Sequence, residues 1–197
     1  ASAGDVNGDG DSDVIVGAYY YDDGVADEGK AFVYYGSASG LSLTPNSTPD
    51  DADQATARFG NSVSCAGDVN GDGYSDVIIG AFAYDDGAST DEGRAFVYLG
   101  SATGLSASPN SILDDADQTF AQFGLSVASA GDVNGDGYSD VIIGANGYND
   151  GANTDEGRAF VYHGSASGLS TSIQVQLESN QASSQGGYSV ASAGDVN

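Results

Sequence analysis

Apolar residues along this chain come in short bursts, each closed by glycine or an acidic residue, and the bursts are of two main kinds. Asp13-Val14-Ile15-Val16-Gly17-Ala18, Asp76-Val77-Ile78-Ile79-Gly80-Ala81 and Asp140-Val141-Ile142-Ile143-Gly144-Ala145 are continuous, which predicts strands covered on both faces. Lys30-Ala31-Phe32-Val33-Tyr34, Arg94-Ala95-Phe96-Val97-Tyr98 and Arg158-Ala159-Phe160-Val161-Tyr162 alternate small and aromatic side chains, the period-two signature of a pleated strand. A small-residue run such as Ser126-Val127-Ala128-Ser129-Ala130 precedes each continuous burst, and a weaker strand is expected near Asn110-Ser111-Ile112-Leu113. No burst has the three-to-four-residue spacing of a helix face. Thirty Gly against 3 Pro, with 12 Tyr and 7 Phe but no Trp or Met, suits many short strands joined by tight turns. The predicted class is all-β.

The order of bursts repeats. Asp-Val-Asn recurs at Asp5, Asp68, Asp132 and Asp195, 63 or 64 residues apart, and a hairpin that differs by one residue (Gly24 to Asp27, Gly87 to Asp91) absorbs the difference. The chain thus reads as a single β-propeller segment, 1–197, with repeats at approximately 1–58, 59–122 and 123–186 and with 187–197 as the closing strand of a further blade. Four antiparallel strands per period make a propeller blade, which cannot cover both faces alone and must stack on its neighbours. A solenoid fits this composition less well. Rings hold about four to eight blades, so three repeats per chain are expected to be completed to six blades by homodimerisation about a twofold axis. Ala1–Asn7 and Ala191–Asn197 share the sequence Ala-Ser-Ala-Gly-Asp-Val-Asn, so Tyr188–Asn197 is expected to supply the beginning of the partner's first blade. The rival readings are a slice of a longer protein and an engineered or selected self-assembling scaffold.

Charge narrows the function. Four Lys+Arg against 29 Asp+Glu give a net charge of −25, which argues against nucleic acid and anionic membrane surfaces as partners. No apolar stretch is long enough to span a membrane, so insertion is not expected. Part of this acidity recurs in one loop per repeat. Asp68-Val69-Asn70-Gly71-Asp72-Gly73-Tyr74-Ser75-Asp76 places side-chain oxygens at positions 1, 3, 5 and 9, with glycine at position 6 for the sharp turn. The carbonyl of position 7 is free to point inward. Such an all-oxygen set on alternate positions suits Ca²⁺, which takes six to eight oxygens, better than Mg²⁺, which keeps its waters. The candidate ligands are Asp5, Asn7, Asp9, Asp11 and Asp13; Asp68, Asn70, Asp72, Tyr74 and Asp76; and Asp132, Asn134, Asp136, Tyr138 and Asp140, with Asp11, Tyr74 and Tyr138 contributing position 7. About one ion per loop is expected. An EF-hand or dockerin loop would need an acid at position 12, where Val16, Ile79 and Ile143 stand.

With these residues in place, the chain resembles the FG-GAP repeats of the integrin α-subunit β-propeller and its bacterial relatives over essentially its whole length. Phe59-Gly60 and Phe123-Gly124 are similar to the FG element, while Gly17-Ala18, Gly80-Ala81 and Gly144-Ala145 are similar to the GAP element without its proline. The third FG element reads Gly186-Gly187, and Tyr19, Phe82 and Asn146 stand where the proline would be. The resemblance implies calcium held by the loop residues named above, and a role in adhesion, ligand binding or self-assembly at a cell surface or outside the cell. Some family members sit beside a hydrolase or lyase domain, so a non-catalytic propeller fragment of a larger extracellular enzyme is the alternative.

Catalytic chemistry has no candidate. His163 stands alone where other repeats carry Tyr35 and Leu99, Cys65 is replaced by Ser129, and no nucleophile elbow, phosphate loop or zinc spacing occurs. Acidic pairs at Asp22-Asp23, Asp27-Glu28, Asp91-Glu92 and Asp155-Glu156 recur in every repeat, whereas a glycosidase pair would break the repeat symmetry. These pairs read as turn chemistry, solvation or peripheral cation sites. Tyr19-Tyr20-Tyr21 is a candidate surface for a protein or glycan ligand, and Asn46-Ser47-Thr48 matches a glycosylation acceptor.

Overall fold

The computed structural model describes residues 1–194 and consists of strands, with no helix among them. The fourth Asp-Val-Asn, Asp195–Asn197, and with it the end of the anticipated closing segment, lies outside the described residues. The first sheet holds β1 (Ser2–Gly4), β2 (Asp13–Ala18) and β3 (Lys30–Tyr34). The second holds β4 (Ser62–Gly67), β5 (Asp76–Ala81), β6 (Arg94–Tyr98) and β7 (Ser111–Leu113). The third holds β8 (Phe123–Gly131), β9 (Asp140–Ala145), β10 (Arg158–Tyr162) and β11 (Val175–Glu178). Each is an antiparallel meander in chain order, the connectivity of a propeller blade.

The first blade falls short of the expected four strands for a local reason. Its edge segment bonds back through Val33 N–H to the Ser47 carbonyl (2.9 Å) and Ala31 N–H to the Pro49 carbonyl (3.0 Å), but only a single bridge forms at Ser47. Pro49 occupies the place of Leu113, which pairs with Ala95 in the second blade, and proline has no N–H to return to the ladder. Residues 187–194, anticipated as part of a closing strand, form no strand.

The hydrophobic core lies between the blades. One cluster joins Ala3, Val6, Ile15 and Val33 of the first blade to Val77, Ile79, Phe96 and Tyr98 of the second. The other joins Val69, Ile78, Val97 and Leu113 of the second to Val141, Ile143, Phe160 and Tyr162 of the third. A continuous apolar strand such as β5 is therefore buried at every position, Ile78 facing forward and Val77 and Ile79 facing back. The first strand of each blade lies against that of the next, β1 on β4 and β4 on β8.

The two glycine elements meet across each junction. A Cβ on Gly17 would lie 1.8 Å from the Gly60 carbonyl oxygen, one on Gly80 1.9 Å from that of Gly124, and one on Gly144 1.8 Å from that of Gly187. Gly60, Gly124 and Gly187 all adopt left-handed backbone (φ 80°, 83° and 80°), which turns that carbonyl toward the neighbouring strand. The third element keeps this contact although its Phe is replaced by Gly186, because the contact needs only backbone. The aromatic member supplies something else: Phe59 packs edge-on against Phe96, and Phe123 against Phe160, at ring separations of 5.2 and 5.4 Å.

Polar links reinforce each junction. The Tyr98 hydroxyl donates to Asp51 (2.6 Å) and the Tyr162 hydroxyl to Asp115 (2.8 Å), reaching from one blade to the loop that leaves the preceding one. Tyr98→Phe keeps the packing and loses this bond; it is expected to cost about 1 kcal/mol, a fall in melting temperature of about 2–4 °C by differential scanning calorimetry.

Candidate metal loops

The acidic loop joins the first two strands of each blade, and its shape comes from its own side chains. Asp5 accepts N–H bonds from Gly8 (2.7 Å), Asp9 (3.1 Å) and Gly10 (2.9 Å), so position 1 curls the next five residues around itself. Asp68 and Asp132 repeat the pattern, with Gly71 and Gly73 at 2.6 and 2.8 Å and Gly135 and Gly137 both at 2.8 Å. Position 6, Gly10, Gly73 and Gly137, has φ of 90°, 91° and 93°, a backbone state that side-chain-bearing residues avoid. Position 3 bonds position 5: Asn70 Nδ2 donates to Asp72 (2.9 Å), and Asp72 N–H donates to Asn70 Oδ1 (3.1 Å).

Position 9 serves the fold as well as the loop. Asp76 is fully buried and accepts the N–H of Val69 (2.8 Å) on one oxygen and that of Gly100 (2.9 Å) on the other. It thereby ties the start of the loop to the chain leaving β6. Asp13 does the same with Val6 (2.8 Å) and Gly36 (2.8 Å), and Asp140 with Val133 (2.8 Å) and Gly164 (2.9 Å). Burial pushes the Asp76 carboxyl up to about 7; its two N–H bonds oppose this, and the Asp72 and Asp68 carboxylates add to it. The Asp13 carboxyl is raised for the same reasons, with Asp9 and Asp5 as its neighbours. The Gly137 N–H, ahead of those of Gly135, Asp136 and Asn134, instead holds the exposed Asp132 below the ordinary carboxylate range.

At position 7, Tyr74 and Tyr138 donate their N–H to Asp72 and Asp136 (3.0 Å each), and Asp11 donates to Asp9 (2.9 Å). The rings of Tyr74 and Tyr138 lie over Gly8 and Gly71 of the preceding loop, so this residue also stacks one loop on the next. Ser75 and Ser139, at position 8, add bonds to the backbone of Asp5 and Asp68. Ser12, Ser75 and Ser139 hold this position in all three copies, a repeat signal that loop-by-loop reading passes over.

The predicted ligands of each loop therefore share one nine-residue curl, and their oxygens are engaged by loop N–H groups. Among the described residues, no three acidic, histidine or cysteine side chains are gathered closely enough to hold a metal ion. None of the loop carboxylates is paired with a cation either. Lys30 pairs with Asp23 and Asp50, Arg58 with Asp27, Arg94 with Asp86 and Asp114, and Arg158 with Asp150 and Glu178. Arg94 and Arg158 also stack on Tyr84 and Tyr148 at 4.2 and 4.3 Å, so these cations are spent holding hairpins. The loops are all-oxygen, anionic and without counter-charge, which is the donor chemistry a hard divalent cation requires.

The acidic pairs of the hairpins divide. Asp27, Asp91 and Asp155 take left-handed backbone (φ 56°, 49° and 50°), as turn residues do, but Glu28, Glu92 and Glu156 are buried. Burial, against a Ser89 bond and with Asp117, Asp86 and Asp114 nearby, raises the Glu92 carboxyl. The recurring Asp-Glu-Gly was the signal that solvation does not explain: its glycine packs on the backbone of Phe59, Phe123 or Gly186. Tyr19, Tyr20 and Tyr21 are exposed, with the Arg58 guanidinium over the Tyr20 ring at 4.2 Å. His163 lies 3.1 Å from Asn134 of the third loop.

Comparison with known proteins agrees with this architecture. The family model for the FG-GAP repeat matches residues 1–34, 59–98 and 123–162, one segment per blade. Integrin alpha-IIb of Mus musculus is 34% identical over 148 residues, covering 73% of this chain and 14% of that protein. Human integrin alpha-IIb is 35% identical over 150 residues (74% and 14%), and integrin alpha-4 of Xenopus laevis 35% over 145 residues (73% and 14%). The chain thus spans 14% of the length of these relatives.

Proposed function

Because the chain belongs to the FG-GAP repeat family, we propose that it is a calcium-stabilised propeller module that binds partners outside the cell and carries no catalysis of its own. The observation that supports this reading most is the stack of three loops with the same oxygen donors, each without a cationic partner. Asp5, Asn7 and Asp9, with their counterparts Asp68, Asn70 and Asp72 and Asp132, Asn134 and Asp136, would hold the ion, helped by the position 7 carbonyl and by Asp13, Asp76 and Asp140. A bound cation supplies the positive charge that these carboxylates lack and locks the curl on which the next blade rests. Millimolar extracellular calcium suits loops of this type.

Calcium at 100 times its dissociation constant is expected to stabilise the fold by about 2.7 kcal/mol for each ion taken up, raising the melting temperature by at least about 5 °C per site. Titration calorimetry should return about three ions per chain. Asp72→Ala removes an exposed donor and is expected to lower the stoichiometry by one with only a small change in the melt in chelator. No thermal shift between calcium and chelator would overturn the metal reading.

The exposed Tyr19–Tyr21 surface fits a glycan or protein ligand, aromatic faces being suited to both. Glycan or protein capture by the wild type but not by Tyr20→Ala would support adhesion, and equal capture would place the contact elsewhere.

A further inference from the structure

The acidic loops are joined to one another as well as to their own strands. Asp76 of the second loop accepts the N–H of Gly100 (2.9 Å), and the next residue, Ser101, donates its N–H to the carbonyl of Val6 in the first loop (3.0 Å). Val6 N–H in turn donates to Asp13 (2.8 Å), which holds in the first loop the place that Asp76 holds in the second. One blade on, Asp140 accepts from Gly164 (2.9 Å), Ser165 donates to the Val69 carbonyl (3.0 Å), and Val69 donates to Asp76 (2.8 Å). A continuous hydrogen-bonded ladder therefore connects Asp140, Asp76 and Asp13, the position 9 carboxylates of all three loops.

A second link runs beside the first. Ser75 Oγ accepts the N–H of Asp5 (3.1 Å), and Ser75 N–H donates to the Asp5 carbonyl (2.9 Å). Ser139 holds Asp68 in the same way, at 3.2 and 2.9 Å. Position 8 of one loop thus fixes both backbone groups of position 1 in the loop before it, and the candidate ligands at positions 7 and 9 flank that serine in the chain. The fit is close. Gly4 and Gly67, which precede the two aspartates, have left-handed backbone (φ 79° and 82°), and a Cβ on either would overlap the serine hydroxyl.

We propose that the loops take up calcium cooperatively, occupancy of one tightening its neighbour through this ladder, with Ser75 and Ser139 as positioning residues that carry the coupling. The proposal rests on the reading of the loops as calcium sites. Its physical basis is shared ordering: an ion that steadies positions 7 and 9 of one loop also steadies the serine between them, and with it the position 1 aspartate of the preceding loop. That loop then has less freedom to lose when its own ion binds. The coupling is reciprocal, so the preceding loop tightens the following one by the same factor. The field acts in the opposite direction, since positive charge added to one loop weakens the negative potential at the next. Salt screens the field, the Debye length falling to about 3 Å at 1 M, and leaves the hydrogen-bonded link in place.

Titration calorimetry with calcium separates these effects. Asp136→Ala silences the third loop and leaves the first and second as a pair; Asp9→Ala leaves the second and third. In each pair the second ion is expected to bind about tenfold more tightly than the first after statistical correction, and at least as cooperatively at about 1 M salt as at about 0.15 M. Ser75→Ala in the first pair and Ser139→Ala in the second remove no metal donor. Two ions should still bind, with the factor reduced to about threefold by the loss of one hydrogen bond. Circular dichroism reports whether each variant is folded, and the two pairs are independent, so either can decide the matter. Independent binding in both pairs at both salt concentrations would overturn the proposal. Cooperativity untouched by either serine variant would also overturn it, as would negative cooperativity that fades at high salt, the mark of the field alone. No calcium uptake by the unsubstituted chain would overturn the calcium reading itself, and this proposal with it.

Discussion

Gly80→Ala is expected to prevent this chain from folding at ordinary temperatures. The added Cβ would sit 1.9 Å from the Gly124 carbonyl oxygen and 2.9 Å from its carbon, and both atoms are backbone in a strand that is itself hydrogen bonded. Neither side can yield by turning a rotamer. Relief requires separating the second and third blades by more than 1 Å along the line on which Ile78, Val97, Leu113 and Phe123 interlock. Overpacking of this kind usually costs 1–3 kcal/mol; a backbone obstacle on both sides puts the expected cost at about 4 kcal/mol or more. Gly73→Ala provides the comparison: its Cβ meets nothing within 4 Å, so only the left-handed backbone is penalised, by about 1–2 kcal/mol. Equal melting temperatures for the two variants would show that the glycine contact does not hold the blades together.

The second large effect is expected at Asp76. Replacement by alanine leaves the N–H groups of Val69 and Gly100 without their acceptor in a buried site, at about 1–3 kcal/mol each, and leaves a void in addition. A loss of about 3–5 kcal/mol is expected by urea denaturation in chelator, where metal binding does not contribute. Asp76→Asn retains one acceptor and should lose about half as much. The exposed Asp72→Ala is the counter-example: a strong effect on calcium uptake and a small one on the chelated protein. If Asp76→Ala and Asp72→Ala destabilise the chelated protein equally, position 9 is a ligand only and the link from loop to β6 carries no stability.

Much of the blade was legible because local pattern and tertiary role coincide. Val-Ile-Ile bounded by Asp and Gly can be buried on both faces only as a strand between two neighbours, and β5 is that strand. The Asp-x-Asn-x-Asp-Gly curl could be read because its hydrogen bonds close within nine residues. Three features could not be read in this way. Asp76 looked like one more loop oxygen, since its bond to Gly100 spans 24 residues and leaves no local mark. Pro49 ended the first blade's edge strand through a missing N–H, against an otherwise intact repeat. The junction serines act on the loop of a different repeat about 70 positions away, so their meaning appears only once blades are stacked. Residues Asp53, Thr56 and Arg58, all left-handed without being glycine, mark the same limitation: the linker is shaped by where the next blade must begin.

Each junction draws one half from one repeat and the other half from the next, and every repeat carries both halves. A repeat is therefore an interchangeable cassette. Duplicating residues 59–122 in tandem would introduce a block whose incoming and outgoing surfaces already match their neighbours, so the arc could lengthen by whole blades without inventing a single new contact. Blade number can then change by whole repeats while the junction contacts are kept, and the positions where the copies differ, Pro49, Gly186 and Asp11 among them, are what set one repeat apart from another.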